Sequence, residues 1–430
     1  MGRLRTTITK NIAAFPNFTT QLLSWANQFS EVVLLDSNAH QQKYSSYDVV
    51  LAVDAFTSIQ TDYINAFQDL QQYQSQTKDW LFGYLSYDVK NDIEELHSNN
   101  FDGLAFPDLF FFQPKKLFLI KENQVEIQYL RMCDDEIESD FEEIISIAPI
   151  THYAIPITIN QRISKENYLL KVSKMLEHIQ RGDIYEANFC MEFYAENAKI
   201  DPSEMYHKLN TISEPPFAVY FKNKYHYLLS ASPERYLRKE GTKVISQPIK
   251  GTSKRNENPI LDEQLKSDLA QNEKERSENI MIVDLVRNDL SHTAIKGSVA
   301  VEELCEIYTF KQVHQMISTV VSEVDATTAP VEIIRTTFPM GSMTGAPKIS
   351  AMQIIEALEE TKRGLYSGAV GYFTPSGDFD FNVVIRSILY NAKKEYLSFS
   401  VGSAITAQAM PENEYEECLL KAKAMFEVLS

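Results

Sequence analysis

Cysteine is scarce in this chain: the 430 residues hold four, Cys133, Cys190, Cys305 and Cys418, and no two form a CxxC pair. That spacing excludes a disulfide framework and a thiolate zinc site, and it suits a reducing, cytoplasmic setting. Positive charge is outnumbered as well, with 41 Lys and Arg against 59 Asp and Glu and a formal net charge of −18 at pH 7. A nucleic acid or an anionic membrane needs a basic surface to displace counterions, so neither is an expected partner. An anion that binds must therefore meet a local cluster of positive charge. Long apolar runs are missing too, and the basic start has no apolar core of a secretory signal. Neither an internal repeat nor a low-complexity tract is visible, which excludes solenoid architectures. With 44% hydrophobic and 23% charged residues, the chain has the profile of an enzyme built from two or three domain-sized units.

What is present first reads as strands joined by loops. Residues 1–150 hold compact apolar runs at 32–36 and 49–54, helical patterns at 21–29 and 62–74, and a further pair of strands at 109–112 and 116–120. The stretch 80–88 (WLFGYLSYD) alternates aromatics with Gly83 and Ser86, as a strand pressed against another backbone would. Two prolines and no helical period at 147–159 predict a connection, so that 1–150 forms an N-terminal subdomain and 160–430 the catalytic one. A helix over 165–181 stops at Gly182-Asp183 and leads into a strand over 184–193.

The chain's chemistry centres on Gln247-Pro248-Ile249-Lys250-Gly251-Thr252, which sets one primary amine on a stiff, turning support. A lone lysine in a turn ordinarily waves in water, and only the neighbouring segments argue otherwise. Ser232-Pro233-Glu234-Arg235 lies just upstream, across a hairpin with its turn at Glu240-Gly241, so Glu234 and Lys250 can share a pocket. The alternative pairs Glu234 with Arg235 or Lys243 in water. A helix over 271–290 puts Glu278 on one stripe with Ile282 and Leu285, and a second over 413–429 aligns Glu417 with Lys421, Ala424 and Val428. A carboxylate on an apolar stripe costs several kcal/mol unless it holds a cation or stays neutral. Two such acids, with no His or Cys cluster, suit magnesium, although Glu417-Lys421 also reads as an ordinary helical ion pair. The run from Gly341 to Lys348 is not a Walker loop, because three residues separate its glycines, yet it offers amides and Lys348 to an anion. Val383-Val384-Ile385-Arg386 reads as a strand whose arginine binds a carboxylate.

Taken together, SPER, QPIKGT, MIVDLVRNDL, GSMTGAPK, YSGAVGY, VVIRS and NEYEECLLKA occur in the order found in chorismate-utilising enzymes, which the chain resembles nearly end to end. Within that family it is most similar to the branch that forms aminodeoxychorismate, because Lys250 stands in a slot where anthranilate-forming members carry alanine. The resemblance implies an α+β fold of two similar, intimately packed halves of antiparallel sheet with outer helices. It implies that chorismate and ammonia give 4-amino-4-deoxychorismate, on the way to p-aminobenzoate and folate. A neutral Lys250 would form a covalent adduct, its pKa lowered by magnesium and desolvation, and Glu234 would be the general acid. Glu278 and Glu417 would bind Mg2+. Gly251, Thr252, Thr344, Tyr372, Arg386, Gly402, Ala404 and Lys421 would bind substrate, Tyr372 and Arg386 at the enolpyruvyl carboxylate.

Ammonia would come from a separate glutamine amidotransferase subunit, since no cysteine here sits in a nucleophile elbow. Several positions depart from the pattern. Glu186 replaces a glutamine, Gln315 replaces a histidine with His314 on the opposite strand face, Asn279 and Ser277 replace a histidine and an alanine around Glu278, and Ser403-Ala404 replaces a glycine-rich pair. The rival readings are an anthranilate synthase component I and a non-catalytic chorismate-binding homologue.

Overall fold

The computed structural model describes residues 4–40, 42–148, 157–311 and 313–430. The predicted connection at 147–159 lies largely outside them. The described residues form a mixed fold of antiparallel sheet and outer helices. Its strands make two layers that share one long strand, Leu109–Lys121. Along one edge this strand pairs throughout with Val49–Thr61. Along the other edge Leu109–Phe112 pair with Leu81–Leu85, and Lys116–Lys121 pair with Gln124–Leu130. The two strands expected at 109–112 and 116–120 are thus one. Pro114, which suggested a break, lies opposite Ala55 beside a bulge, at the fork where the partner strand changes and a missing donor is tolerated.

From the fork, the first layer continues through Glu31–Asp36, Phe217–Asn223, His226–Ser232, Ser387–Asn391, Tyr396–Thr406 and Glu186–Ala195. The second runs through Leu81–Leu85, Ala369–Phe373, Phe379–Val383, Arg235–Glu240, Lys243–Gln247 and Val313–Glu323. Strand periodicity divides the apolar residues between two cores. Val32 and Leu34 face the helices Phe18–Ala26 and Ile137–Ser146, whereas Val33 faces the core between the layers with Phe221, Leu389 and Val370. Gly83 and Gly371 stand opposite one another, and a Cβ on either would lie 2.0 Å from a neighbouring carbonyl oxygen. The close backbone contact predicted for the 80–88 strand is therefore present.

Two crossings carry the chain between layers and place the site. Pro233-Glu234 separates His226–Ser232 from Arg235–Glu240, and Val384-Ile385-Arg386 separates Phe379–Val383 from Ser387–Asn391. The crossings are bonded to each other: Val383 N–H donates to the Glu234 carbonyl and Ala231 N–H to the Arg386 carbonyl, each at 3.0 Å. Arg386 thus lies in a left-handed turn with φ of 52°, not on the strand the sequence suggested. The hairpin at Glu240-Gly241 and the helix Lys165–Arg181, stopped by Gly182 at φ +83°, follow the sequence. The helix expected over 271–290 is Glu273–Ser291, its start fixed by the Asn272 side chain, which accepts from Glu275 N–H at 3.1 Å, and a separate helix, Pro259–Gln271, precedes it. Among the described residues no helix is long and apolar enough to cross a membrane.

Candidate active site

A cleft of about 790 Å³ opens beside the two crossings. It is lined by Glu234 and Arg386 from the crossings, by Lys250, Gly251 and Thr252, by Glu278 from helix Glu273–Ser291, by Gly402 and Ala404, and by Glu417 and Lys421 from helix Pro411–Leu429. Ten of the twelve residues singled out from sequence are therefore brought together. Lys250 reaches the cleft through a ladder defect. Strand Ile249–Lys254 pairs with Val313–Glu323 at Ile249 and again from Thr252, and the intervening Lys250 and Gly251 form the irregularity, with Gly251 at φ +94°. Asn279, buried on helix Glu273–Ser291, donates to the Lys250 carbonyl at 3.4 Å and to the Met316 carbonyl at 3.3 Å, pinning that defect.

The Lys250 side chain is only 12% exposed and its amine donates to Glu186 Oε1 at 2.9 Å, so it does not wave in water. Burial pulls its pKa down, but Glu186, then Glu278 and Glu234, outweigh burial and hold it above the ordinary lysine range. Of the expected causes of lowering, desolvation is present but is outweighed by the three carboxylates that face the amine. Glu234 is pushed up to about 7 by burial, against the pull of Ser342, Lys250 and Lys421. It pairs with neither Arg235 nor Lys243: Arg235 is bound to Asp380 at 2.9 Å and Lys243 to Glu302 at 2.6 Å. A buried carboxyl that changes charge near neutrality is suited to proton donation.

Glu278 is also pushed up to about 7 by burial, partly offset by Lys250 and Lys274, and its Oε1 is buried without a hydrogen-bond partner. Burial raises Glu417 too, but Lys421 at 2.6 Å more than offsets it and the carboxyl ends below its usual range. Glu275 and Glu414 line the same wall, both raised by burial. These donors are all oxygen, and the orphaned Glu278 oxygen fits a hard cation such as Mg2+. Among the described residues no three acids, histidines or cysteines make a closed metal cluster, so such an ion would complete its shell with water and substrate oxygens. Arg386, its pKa lowered by burial, has no ion-pair partner among the described residues and lines the cleft beside Tyr366. An unpaired guanidinium in a cleft can pair with a carboxylate.

Thr344 and Tyr372 stand elsewhere. The Thr344 hydroxyl donates to the Met340 carbonyl of its own loop at 3.2 Å. Tyr372 packs on Trp80 and Phe82 and borders a separate cavity of about 70 Å³ with Arg235 and Asp380. The tyrosine at the cleft is Tyr366, at the other end of YSGAVGY. The motif was visible, but Ser367 at φ +64° turns the chain between the two tyrosines, and no periodicity carries that turn. Lys421 donates to the Gly402 carbonyl at 2.8 Å. Lys348 does not face an anion: its amine is held by buried Asp289 at 2.7 Å and by the Thr337 carbonyl. Gln315 lines the cleft while His314 turns away to Asp262 at 3.1 Å, the opposite facing that strand alternation predicts.

The family model described as chorismate binding enzyme matches residues 30–427. An anthranilate synthase component I-like protein of Synechocystis sp. is 34% identical over 354 residues, 81% of this chain and 72% of its own length. Aminodeoxychorismate synthase component 1 of Bacillus subtilis is 30% identical over 389 residues, 86% of this chain and 79% of its own. A probable chloroplastic aminodeoxychorismate synthase of Oryza sativa is 33% identical, and the chain spans only 43% of its length. The crystal structure of anthranilate synthase component I from Streptococcus pneumoniae superposes with a TM-score of 0.79 at 24% identity, covering 90% of this chain and 94% of that one, and so shares the fold.

Proposed function

The chain belongs to the chorismate-binding enzyme family, and from that premise we propose that it converts chorismate and ammonia to 4-amino-4-deoxychorismate. The observation that carries this reading is a buried lysine amine, Lys250, at the wall of a cleft that also holds Glu234, a carboxyl pushed up to about 7. In this reaction the neutral Lys250 amine attacks ring carbon 2 while the hydroxyl leaves carbon 4, taking a proton from Glu234. Ammonia then attacks carbon 4 and expels the lysine, so nitrogen ends para to the ring carboxylate. Arg386 holds the enolpyruvyl carboxylate, with Tyr366 beside it. Gly251, Thr252, Gly402 and Ala404 border the ring, and Lys421 sits near the acids at the other wall.

Glu278 and Glu417 would hold Mg2+, which when bound neutralises the ring carboxylate. Ammonia would be supplied by a separate glutamine amidotransferase subunit, and the product would lead toward p-aminobenzoate.

The test is product analysis. With chorismate, magnesium and ammonium salt, followed by aminodeoxychorismate lyase, the protein should yield p-aminobenzoate. Lys250→Ala should cut that yield by about 10³-fold or more, the scale on which a covalent nucleophile acts. Fluorescent anthranilate as the main product would instead establish the second reading, an anthranilate synthase component, which the name of the Synechocystis relative favours.

A further inference from the structure

Glu186 touches the reacting amine and has no task in the chemistry proposed above. Its Oε1 accepts from Lys250 Nζ at 2.9 Å, its side chain is 2% exposed, and it stands behind the lysine, off the cleft wall. Its Oε2 is buried with no hydrogen-bond partner. Strand pairing fixes it there, since Glu186 opens strand Glu186–Ala195 between Ala346 on one side and Thr406 on the other. The other charges around the pair are Glu234 from the crossing, Lys274, Glu275 and Glu278 from helix Glu273–Ser291, and Glu417 and Lys421 from helix Pro411–Leu429. Glu234 must already carry a proton to expel the hydroxyl, and Glu278 and Glu417 are engaged if they hold a cation. Only Glu186 is left in hydrogen-bond contact with the amine.

We propose that Glu186 is the internal proton acceptor for Lys250, so that the ammonium passes one proton across their hydrogen bond to Oε1 and attacks as the neutral amine. The inference rests on the reading of Lys250 as nucleophile. The steps balance. After the transfer, a bond forms from Nζ to carbon 2, the bond from carbon 4 to its hydroxyl breaks, and Glu234 supplies the proton that makes the leaving group water. Attack by ammonia at carbon 4 then breaks the bond to Nζ, which departs as a neutral amine and leaves the product amine protonated. Glu186 returns its proton to Lys250, and Glu234 regains one from solvent. The buried pair is net neutral before and after the first transfer, whereas release to water would strand an uncompensated carboxylate. The supply of neutral amine is therefore set inside the pair and does not follow solution pH.

In Glu186→Gln the shape is kept but the acceptor is lost, and the amine becomes neutral only by releasing a proton to solvent. At a fixed concentration of free ammonia, the kcat of that variant should climb about tenfold per pH unit over roughly pH 5 to 6.5, below the range in which Glu234 ionises, with the KM for chorismate unchanged. The wild-type kcat should show no such climb. A second readout needs no turnover: in the metal-free protein, the pH midpoint for acetylation of Lys250, followed by peptide mass, should move down in Glu186→Gln. Parallel kcat profiles, or an unmoved acetylation midpoint, would overturn the role of Glu186 while an inactive Lys250→Ala leaves the nucleophile intact. Para product persisting in Lys250→Ala would instead remove the premise.

Discussion

Two arginines near Tyr366, one buried and one half-buried at the cleft, show how differently this fold treats a desolvated cation. Arg363 is saturated: its guanidinium donates to Glu359 at 2.6 Å and 2.9 Å, to the Met343 carbonyl at 2.6 Å and to the Asn188 carbonyl at 2.7 Å, and it lies over the Tyr87 ring. Arg386 sits in a strained turn with no ion-pair partner among the described residues and faces the cleft. Glu359 also accepts from Cys190 N–H at 2.9 Å, so the Arg363 cluster ties strand Glu186–Ala195 to the segment after helix Lys348–Leu358. The saturated cluster ties elements of the scaffold together, while the unsaturated guanidinium is left able to pair with an anion.

The largest expected effect tests that contrast through stability. Arg363→Met strands the buried Glu359 carboxylate and should cost about 3–5 kcal/mol, read from urea unfolding. Arg386→Met removes a cation with no partner and should stay within about 1 kcal/mol of the parent. Equal losses would erase the distinction. Function should invert the order: Arg386→Met should raise the KM for chorismate roughly 10- to 100-fold, the worth of a charged hydrogen bond, with kcat much less affected. An unchanged KM would mean that the open guanidinium serves something else.

The smallest effect concerns pH, and it separates Glu234 from the scaffold acids. Burial raises this carboxyl from an ordinary 4.5 to about 7, so the folded state holds its proton more tightly than the unfolded chain. That contribution to stability is fully present below the unfolded value and is lost as pH rises through about 7. Wild-type protein should therefore lose melting temperature between pH 5 and 7 relative to Glu234→Gln, which carries no such proton. Turnover should fall on the same alkaline limb if Glu234 is the general acid proposed above, because it is by then ionised. A melting difference independent of pH would show that Glu234 does not titrate in this range.

Much of the site could be read along the chain because its acids break a local rule. Glu278 and Glu417 each interrupt an apolar helical stripe, and Lys250 sits between a proline and a glycine, so single-element geometry was enough to flag them. Tyr366 escaped because its selection over Tyr372 depends on one left-handed residue, Ser367. Lys348 was misread for a related reason: a glycine-rich turn predicts a free donor, but here Asp289 and the Thr337 carbonyl take its amine. The long strand through Pro114 was hidden because a proline signals a break unless the partner strand changes at the same place.

The sequence alone determined which residue types are present at what spacing, hence many of the strands and helices, the helix-borne acids and the lysine set between a proline and a glycine. Those properties depend on periods of two and of 3.6 residues and on proline and glycine dihedrals, all of which act within one element. Only the tertiary structure decided that Lys250 is held charged by Glu186, that Arg386 is open while Arg363 is closed, and that Glu234 titrates near neutrality. Desolvation and Coulomb interaction depend on distances between groups from different elements, and those distances exist only once the crossings and helices have packed.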